Sequence, residues 1–121
     1  MATVRYLVDD VDRAVAFYTE KLGFALEERW GPAIAMVSRD GLTLWLSGPV
    51  SSAARPMPDG RKPGPGGWNR VVVKVDDLES RVAAMKGDGV VFRNEIVTGP
   101  GGKQILAEDG CGNVVELFQP A

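Results

Sequence analysis

The residues able to do chemistry in this chain are bounded first by one that is missing: among 121 residues there is no histidine. No imidazole is on hand as a general base, a metal ligand or a member of a nucleophilic triad. Zinc sites and two-histidine-one-carboxylate iron sites, both built on neutral imidazole nitrogens, are disfavoured accordingly. The single cysteine, Cys111, has no imidazole to activate it and is expected on an exposed turn, without a nucleophilic role. Gly99-Pro100-Gly101-Gly102-Lys103-Gln104 lacks the spacing and the Ser or Thr of a phosphate-binding loop. Asp109-Gly110-Cys111-Gly112-Asn113 is too short for an EF-hand loop and reads as a hairpin turn. The chemistry left over is stacking, ion pairing and hydrogen bonding from strand faces.

Strand alternation sorts those faces. Trp45 shares a face with Thr43 and Ser47, while Leu42, Leu44 and Leu46 point to the core side. A tryptophan on the more polar face suggests a stacking wall for a planar ligand, with core packing as the alternative. Thr3, Arg5 and Leu7 lie opposite Val4, Tyr6 and Val8; Arg70, Val72 and Lys74 lie opposite Val71, Val73 and Val75. Trp68 and Asn69 run in beside Arg70, offering another wall and more hydrogen bonds. Glu116 shares its face with Val114 and Phe118, away from Val115 and Leu117. Trp30 is expected at a strand end or subunit contact, and Arg93, Asn94, Lys103 and Gln104 in solvent or in local pairs.

A repeat positions these faces. Val8-Asp9-Asp10-Val11 returns 67 residues later as Val75-Asp76-Asp77-Leu78, and Val11, Val15 and Tyr18 return as Leu78, Val82 and Met85. Each copy runs from a strand pattern into a helix pattern, so the chain holds one supersecondary unit twice, with a cleft expected between the halves. In the first half, a strand over Ala2–Val8 leads to a helix capped by Asp9 or Asp10 with its apolar stripe at Val11, Val15, Tyr18 and Leu22. Gly23 is placed to close that helix, and strands over Ala25–Trp30, Ala33–Ser38 and Leu42–Leu46 follow, the last two joined by Arg39-Asp40-Gly41. In the second half, a strand over Arg70–Val75 precedes a helix in which Asp76 and Glu79 have capping-box spacing and which ends near Gly87-Asp88-Gly89. Strands near Val90–Asn94, Lys103–Glu108 and Asn113–Gln119 complete it, with Thr98–Gly102 and Asp109–Asn113 as turns. Each half is β-α-β-β-β. The expected boundaries are module one over 1–47, a connection over 48–67 with five glycines and five prolines, and module two over 68–121. Such a connection is a linker or a loop over a site, and its Arg55, Arg61 and Lys62 could lean over a cleft.

Composition narrows the class. With 45% hydrophobic and 25% charged residues, 121 residues suit one globular domain with its own core. A net charge of -2 gives no global basic field to attract nucleic acid or an anionic membrane. No apolar run approaches the roughly 20 residues of a membrane-spanning helix, and the N-terminus lacks a signal-peptide pattern. One cysteine excludes an internal disulfide and fits a reducing cytoplasm.

Val8-Asp9-Asp10-Val11-Asp12-Arg13-Ala14-Val15-Ala16-Phe17-Tyr18, with Leu22-Gly23-Phe24 after it, resembles the opening of the vicinal oxygen chelate superfamily. Gly112-Asn113-Val114-Val115-Glu116-Leu117-Phe118 is similar to that superfamily's last strand. Its members include glyoxalase I, extradiol dioxygenases and the bleomycin- and fosfomycin-resistance proteins. The resemblance implies an α+β fold in which two pseudo-symmetric βαβββ modules form a U-shaped mixed sheet with a concave cleft. It also implies a homodimer. In metal-dependent relatives the first strand of each module carries a ligand histidine, at positions that fall on Thr3 and Arg70 here. The fourth-strand ligand falls near Thr43 or Trp45, and only the final glutamate survives, as Glu116. Metal catalysis is therefore not carried over; no metal and no cofactor are expected. Arg70 is expected to pair with Glu116, placing a guanidinium where the metal would sit.

The resulting expectation is a metal-independent binding protein similar to the bleomycin-resistance branch, sequestering an aromatic or acidic small molecule. Its ligand-binding residues would be Thr3, Arg5, Thr43, Trp45, Trp68, Asn69, Arg70, Lys74, Glu116 and Phe118. The alternative is a diverged glyoxalase-like lyase or isomerase using Glu116 as general base or residual metal ligand. A third possibility is a scaffold with a vestigial cleft. Expected partners are the ligand and a second copy of the chain, with no nucleic acid and no membrane.

Overall fold

Hydrogen bonding follows the repeat. The computed structural model describes all residues, Met1–Ala121, as two compact units, Met1–Gly66 and Gly67–Ala121. Each is a βαβββ module of an α+β fold, and each contributes a four-stranded mixed sheet.

In the first unit, β1 (Ala2–Leu7), β2 (Ala25–Trp30), β3 (Ile34–Arg39) and β4 (Leu42–Ser47) pair in the order β1-β4-β3-β2. β1 and β4 are parallel, with Thr3 opposite Thr43 and Arg5 opposite Trp45, while β2, β3 and β4 are antiparallel neighbours. Helix α1 (Val11–Ala16) starts at Asp10, whose carboxylate accepts a 3.1 Å bond from the Arg13 amide. The apolar stripe continues past α1, but the backbone widens into a π-helical turn over Phe17–Lys21 before Gly23 reverses direction at φ +73°. Packing accounts for the wider turn. It buries the consecutive residues Phe17 and Tyr18 together, and Tyr18 meets Tyr6, Phe17 and Phe24 edge-on at centroid distances of 6.3, 5.1 and 5.7 Å.

In the second unit, β5 (Val72–Lys74), β6 (Val97–Gly99), β7 (Gly102–Glu108) and β8 (Val114–Pro120) pair in the order β5-β8-β7-β6. β5 is shorter than the Arg70–Val75 expected, although bonds from Glu116 N to Val71 O and from Val75 N to Phe118 O prolong its ladder at both ends. Helix α2 (Leu78–Gly87) buries Leu78, Val82 and Met85. Its cap is Asp77 rather than Asp76, the residue 67 beyond the Asp10 cap; Asp77 accepts from the Ser80 amide at 3.2 Å. Glu79 instead reaches across to Lys103 at 2.7 Å.

Two further expectations change. Only Phe92, bridged to Ala107, joins the sheet within Val90–Asn94, and the strand forms later, at Val97–Gly99. At Asn94 the side-chain oxygen, not a backbone carbonyl, takes the Leu106 amide at 3.0 Å, and the chain leaves the ladder there. Thr98 and Gly99 thus belong to β6, and the turn narrows to Pro100-Gly101 between the paired Gly99 and Gly102. Cys111 is buried, not exposed. The Asp109 carboxylate accepts from the amides of Cys111 and Asn113 at 2.8 and 3.0 Å, folding the tip of the turn over so that the thiol points inward.

Candidate functional site

In both units the helix covers one sheet face, so chemistry must come from the other. On the first unit that face carries Thr3, Arg5 and Leu7 of β1 beside Thr43, Trp45 and Ser47 of β4, followed by Ser38, Met36 and Ile34 of β3. Ser47 is fully buried, and its hydroxyl accepts from Arg5 Nη1 at 3.1 Å while donating to the Trp45 carbonyl. So anchored, the Arg5 guanidinium lies 5.0 Å from the Trp45 ring centroid in a cation–π stack. Thr43 is half-buried with its hydroxyl directed at Met1 Sδ, and Thr3 is exposed. Met36, opposite Trp45 on β3, adds a polarisable thioether beside the indole. The sequence reading passed over Met36; its signal was the alternation Ile34-Met36-Ser38 against the buried Ala35 and Val37.

On the second unit the corresponding face holds Val72 and Lys74 of β5, then Glu116 and Phe118 of β8, then Leu106 and Gln104 of β7. Arg70 donates from Nε and Nη2 to the same Glu116 oxygen, Oε1, at 3.1 and 2.8 Å, and from Nη1 to the Trp68 carbonyl at 3.2 Å. The Glu116 side chain is only 11% exposed and that of Arg70 27%, so the pair is largely withdrawn from water. A second pair lies beside it: Arg93 Nε donates to Glu108 Oε1 at 2.7 Å. Lys74, Trp68 and Asn69 are exposed, and Phe118 is half-buried. Arg93, expected only to be solvated or paired locally, thus joins the same face as Glu116. Trp30 is 60% exposed, with its indole N–H on Glu28.

These residues do not fit a divalent metal. The register makes Trp45, rather than Thr43, the first-unit equivalent of Glu116, because Arg5 and Val72 stand 67 residues apart and face Trp45 and Glu116 respectively. The four positions that the resemblance assigns to metal ligands are then Thr3, Trp45, Arg70 and Glu116. Three offer no anionic or imidazole donor, and the fourth is already bonded to a guanidinium. No three His, Cys, Asp or Glu side chains come together in a metal-binding group. One concavity of about 220 Å³ opens on the first unit, between Asp9, Asp12, Arg29, Pro32, Pro49 and Val50, and includes none of the expected ligand-binding residues. No helix is long and apolar enough to cross a membrane.

Comparison with known proteins agrees with this architecture. The chain is 29% identical over 119 residues to the uncharacterized protein YurT of Bacillus subtilis, covering 93% of this chain and 92% of that one. Among solved structures, lactoylglutathione lyase from Agrobacterium tumefaciens superposes with a TM-score of 0.75 at 18% identity, covering 98% of this chain and 92% of that one. TnmS3, an antibiotic binding protein from Streptomyces sp. CB03234, superposes with a TM-score of 0.70 at 25% identity, covering 98% and 93%. The family model for the Glyoxalase/Bleomycin resistance protein/Dioxygenase superfamily matches residues 1–117, which takes in both modules, both helix caps and Glu116. With its duplicated βαβββ plan intact, the chain belongs to the Glyoxalase/Bleomycin resistance protein/Dioxygenase superfamily.

Proposed function

We propose that this chain is a metal-independent small-molecule binding protein that sequesters an aromatic ligand. The observation that carries the proposal is the Arg70–Glu116 pair, which commits the surviving family carboxylate to a guanidinium. Trp45, with one neighbour in Arg5 and another in Met36, supports stacking as the main source of affinity. Charge supports it less, since Arg70 is matched by Glu116. The candidate contacts are Thr3, Arg5, Thr43 and Trp45 on the first unit and, taken separately, Trp68, Asn69, Arg70, Lys74, Glu116 and Phe118 on the second. Likeness to an antibiotic binding protein at 25% identity is compatible with this role. The same reading takes the chain as a homodimer, for which the wholly exposed edge strand β2 and its Trp30 are the supporting features.

The test is a thermal-shift screen against planar antibiotics, aromatic acids, thiol conjugates and divalent metals. A compound binding only the folded chain stabilises it by about 2.7 kcal/mol at a hundredfold excess over Kd. The expected result is a shift with an aromatic compound that survives EDTA and is lost in Trp45→Ala. Stabilisation by a divalent cation alone would overturn the proposal and restore the lyase reading.

A further inference from the structure

Trp68 is tied at its carbonyl to Arg70 Nη1 at 3.2 Å, but its side chain lies at the surface. It follows Gly66 and Gly67, which lie at φ +127° and +94°, and the residue is 66% exposed. Burial therefore does not fix the indole, and polar contacts must. The Arg93 guanidinium carbon sits 4.9 Å from the Trp68 ring centroid, and Arg93 Nη1 donates to the Gly67 carbonyl at 3.2 Å. One side chain thus grips both the ring and the backbone that leads into it. Arg93 is itself braced from β7: its backbone amide donates to Leu106 O at 2.9 Å, and its Nε donates to Glu108 Oε1 at 2.7 Å. A planar guanidinium suits this double duty, because it can stack flat on an indole while its edge forks to a carboxylate and a carbonyl.

We propose that Arg93, braced by Glu108, is the positioning residue that holds the Trp68 indole as a stacking wall for a planar ligand. The guanidinium lies over the ring, and the residue's high exposure leaves indole surface open to a ligand. The proposal rests on the binding function above for its purpose. Its geometry, however, is testable without any ligand.

The experiment uses the full chain labelled with 5-fluorotryptophan, whose three fluorine resonances are assigned by Trp→Phe substitution. In Arg93→Met the Trp68 line is expected to shift and sharpen as the indole gains freedom, while the Trp30 and Trp45 lines stay in place. Arg93→Lys should behave like Arg93→Met, since an ammonium keeps the charge but neither stacks flat nor forks. Glu108→Gln should move the Trp68 line the same way by a smaller amount. An unchanged Trp68 line in Arg93→Met, or full rescue by lysine, overturns the proposal. Should Arg93→Met unfold, seen as collapse of the Trp45 line, the Glu108→Gln spectrum decides by the same criterion. Titration of the samples with 1-naphthoate then tests the purpose: Kd should weaken roughly twofold to fivefold in Arg93→Met, the range of one exposed cation–π contact. If naphthoate does not bind the wild-type chain at all, the binding function fails for that compound while the fluorine spectra still settle the role of Arg93.

Discussion

Removing one partner of the Arg70–Glu116 pair should be more damaging from the arginine side than from the glutamate side. The asymmetry follows from burial. The Glu116 side chain is 11% exposed, against 27% for Arg70. Arg70→Met strips both donors from Oε1 and leaves a largely buried carboxylate without its cation. One-sided loss of a fully buried pair costs roughly 3–5 kcal/mol, and loss of an exposed one about 0–1 kcal/mol. Arg70 keeps some water and Glu116 very little, so a cost of about 2 kcal/mol is expected. Glu116→Gln is milder, about 1 kcal/mol, because the amide oxygen still accepts from Nε and Nη2 and only the charge is lost.

A double-mutant cycle over Arg70→Met and Glu116→Gln, read by urea unfolding, isolates the interaction. The coupling should come to about 1–2 kcal/mol. Arg70→Met alone should lower Tm by roughly 6–10 °C, taking about 3–5 °C per kcal/mol for a domain of this length. A coupling below about 0.5 kcal/mol, or a Glu116→Gln loss larger than that of Arg70→Met, would refute the reasoning. Glu116 would then be held by something other than Arg70, and the case against a metal at that carboxylate would lose its main support.

Two further outcomes follow from local geometry. A Cβ on Gly102, which lies at φ +146°, would sit 2.1 Å from the Gln119 carbonyl, whereas one on Gly101 would meet nothing. Gly102→Ala should therefore cost more than about 3 kcal/mol or prevent folding, with Gly101→Ala near neutral; equal unfolding midpoints in urea would contradict the β7–β8 register. The hydrogen bond from Lys103 holds the Glu79 carboxyl below its ordinary range. A depressed carboxyl contributes stability above its unfolded-state pKa and loses it as pH falls through the folded one. Carbon-13 detection of that carboxyl should show the low titration, and Lys103→Met should raise it, with the backbone hydrogen bond at Glu79 still holding it down in part. An unmoved titration would mean the pair does not persist in solution.

The sequence displayed those features that a local pattern determines. The 67-residue offset placed both carboxylate caps within one residue and the second helix stripe correctly, while in the first Val15 is only half-buried and Ala14 is buried instead. Alternation separated Trp45 from Leu44 and Leu46, and Arg70 from Val71 and Val73, because the helix-covered face of each module must bury the same kind of side chain. The misplacements came where the local pattern did not decide. Val90–Asn94 suits a strand and Thr98–Gly102 a turn by composition, yet the Asn94 side chain takes the Leu106 amide and the strand forms at Val97–Gly99. Asp76 and Asp77 both suit a cap. The π-helical turn at Phe17–Lys21 leaves the apolar spacing of Val11, Val15, Tyr18 and Leu22 unaltered, so periodicity does not reveal it. The pull of Asp109 on the Cys111 amide does not show in a turn-forming composition. The Arg70–Glu116 pair spans 46 residues and emerged only from the family's ligand positions.

Comparing the modules at matched positions shows what duplication preserved and what it released. Asp10 and Asp77 still cap, and Tyr18 and Met85 are both buried, because each helix must seat on its sheet. The uncovered faces carry no such constraint, and there the copies have separated. Trp45 and Glu116 hold equivalent places, yet one is stacked under Arg5 and the other is bonded to Arg70. The two arginines are not equivalent: Arg5 corresponds to Val72, and Arg70 to Thr3. Each module thus sets a cation against its fourth strand from a different place, Arg5 within β1 and Arg70 just ahead of β5. A divalent metal needs several anionic or imidazole donors at once, and of the matched positions only Glu116 carries one, already bonded to Arg70. A face that works by stacking and hydrogen bonding, as proposed above, makes no such demand, and the difference between Trp45 under Arg5 and Glu116 on Arg70 is compatible with it.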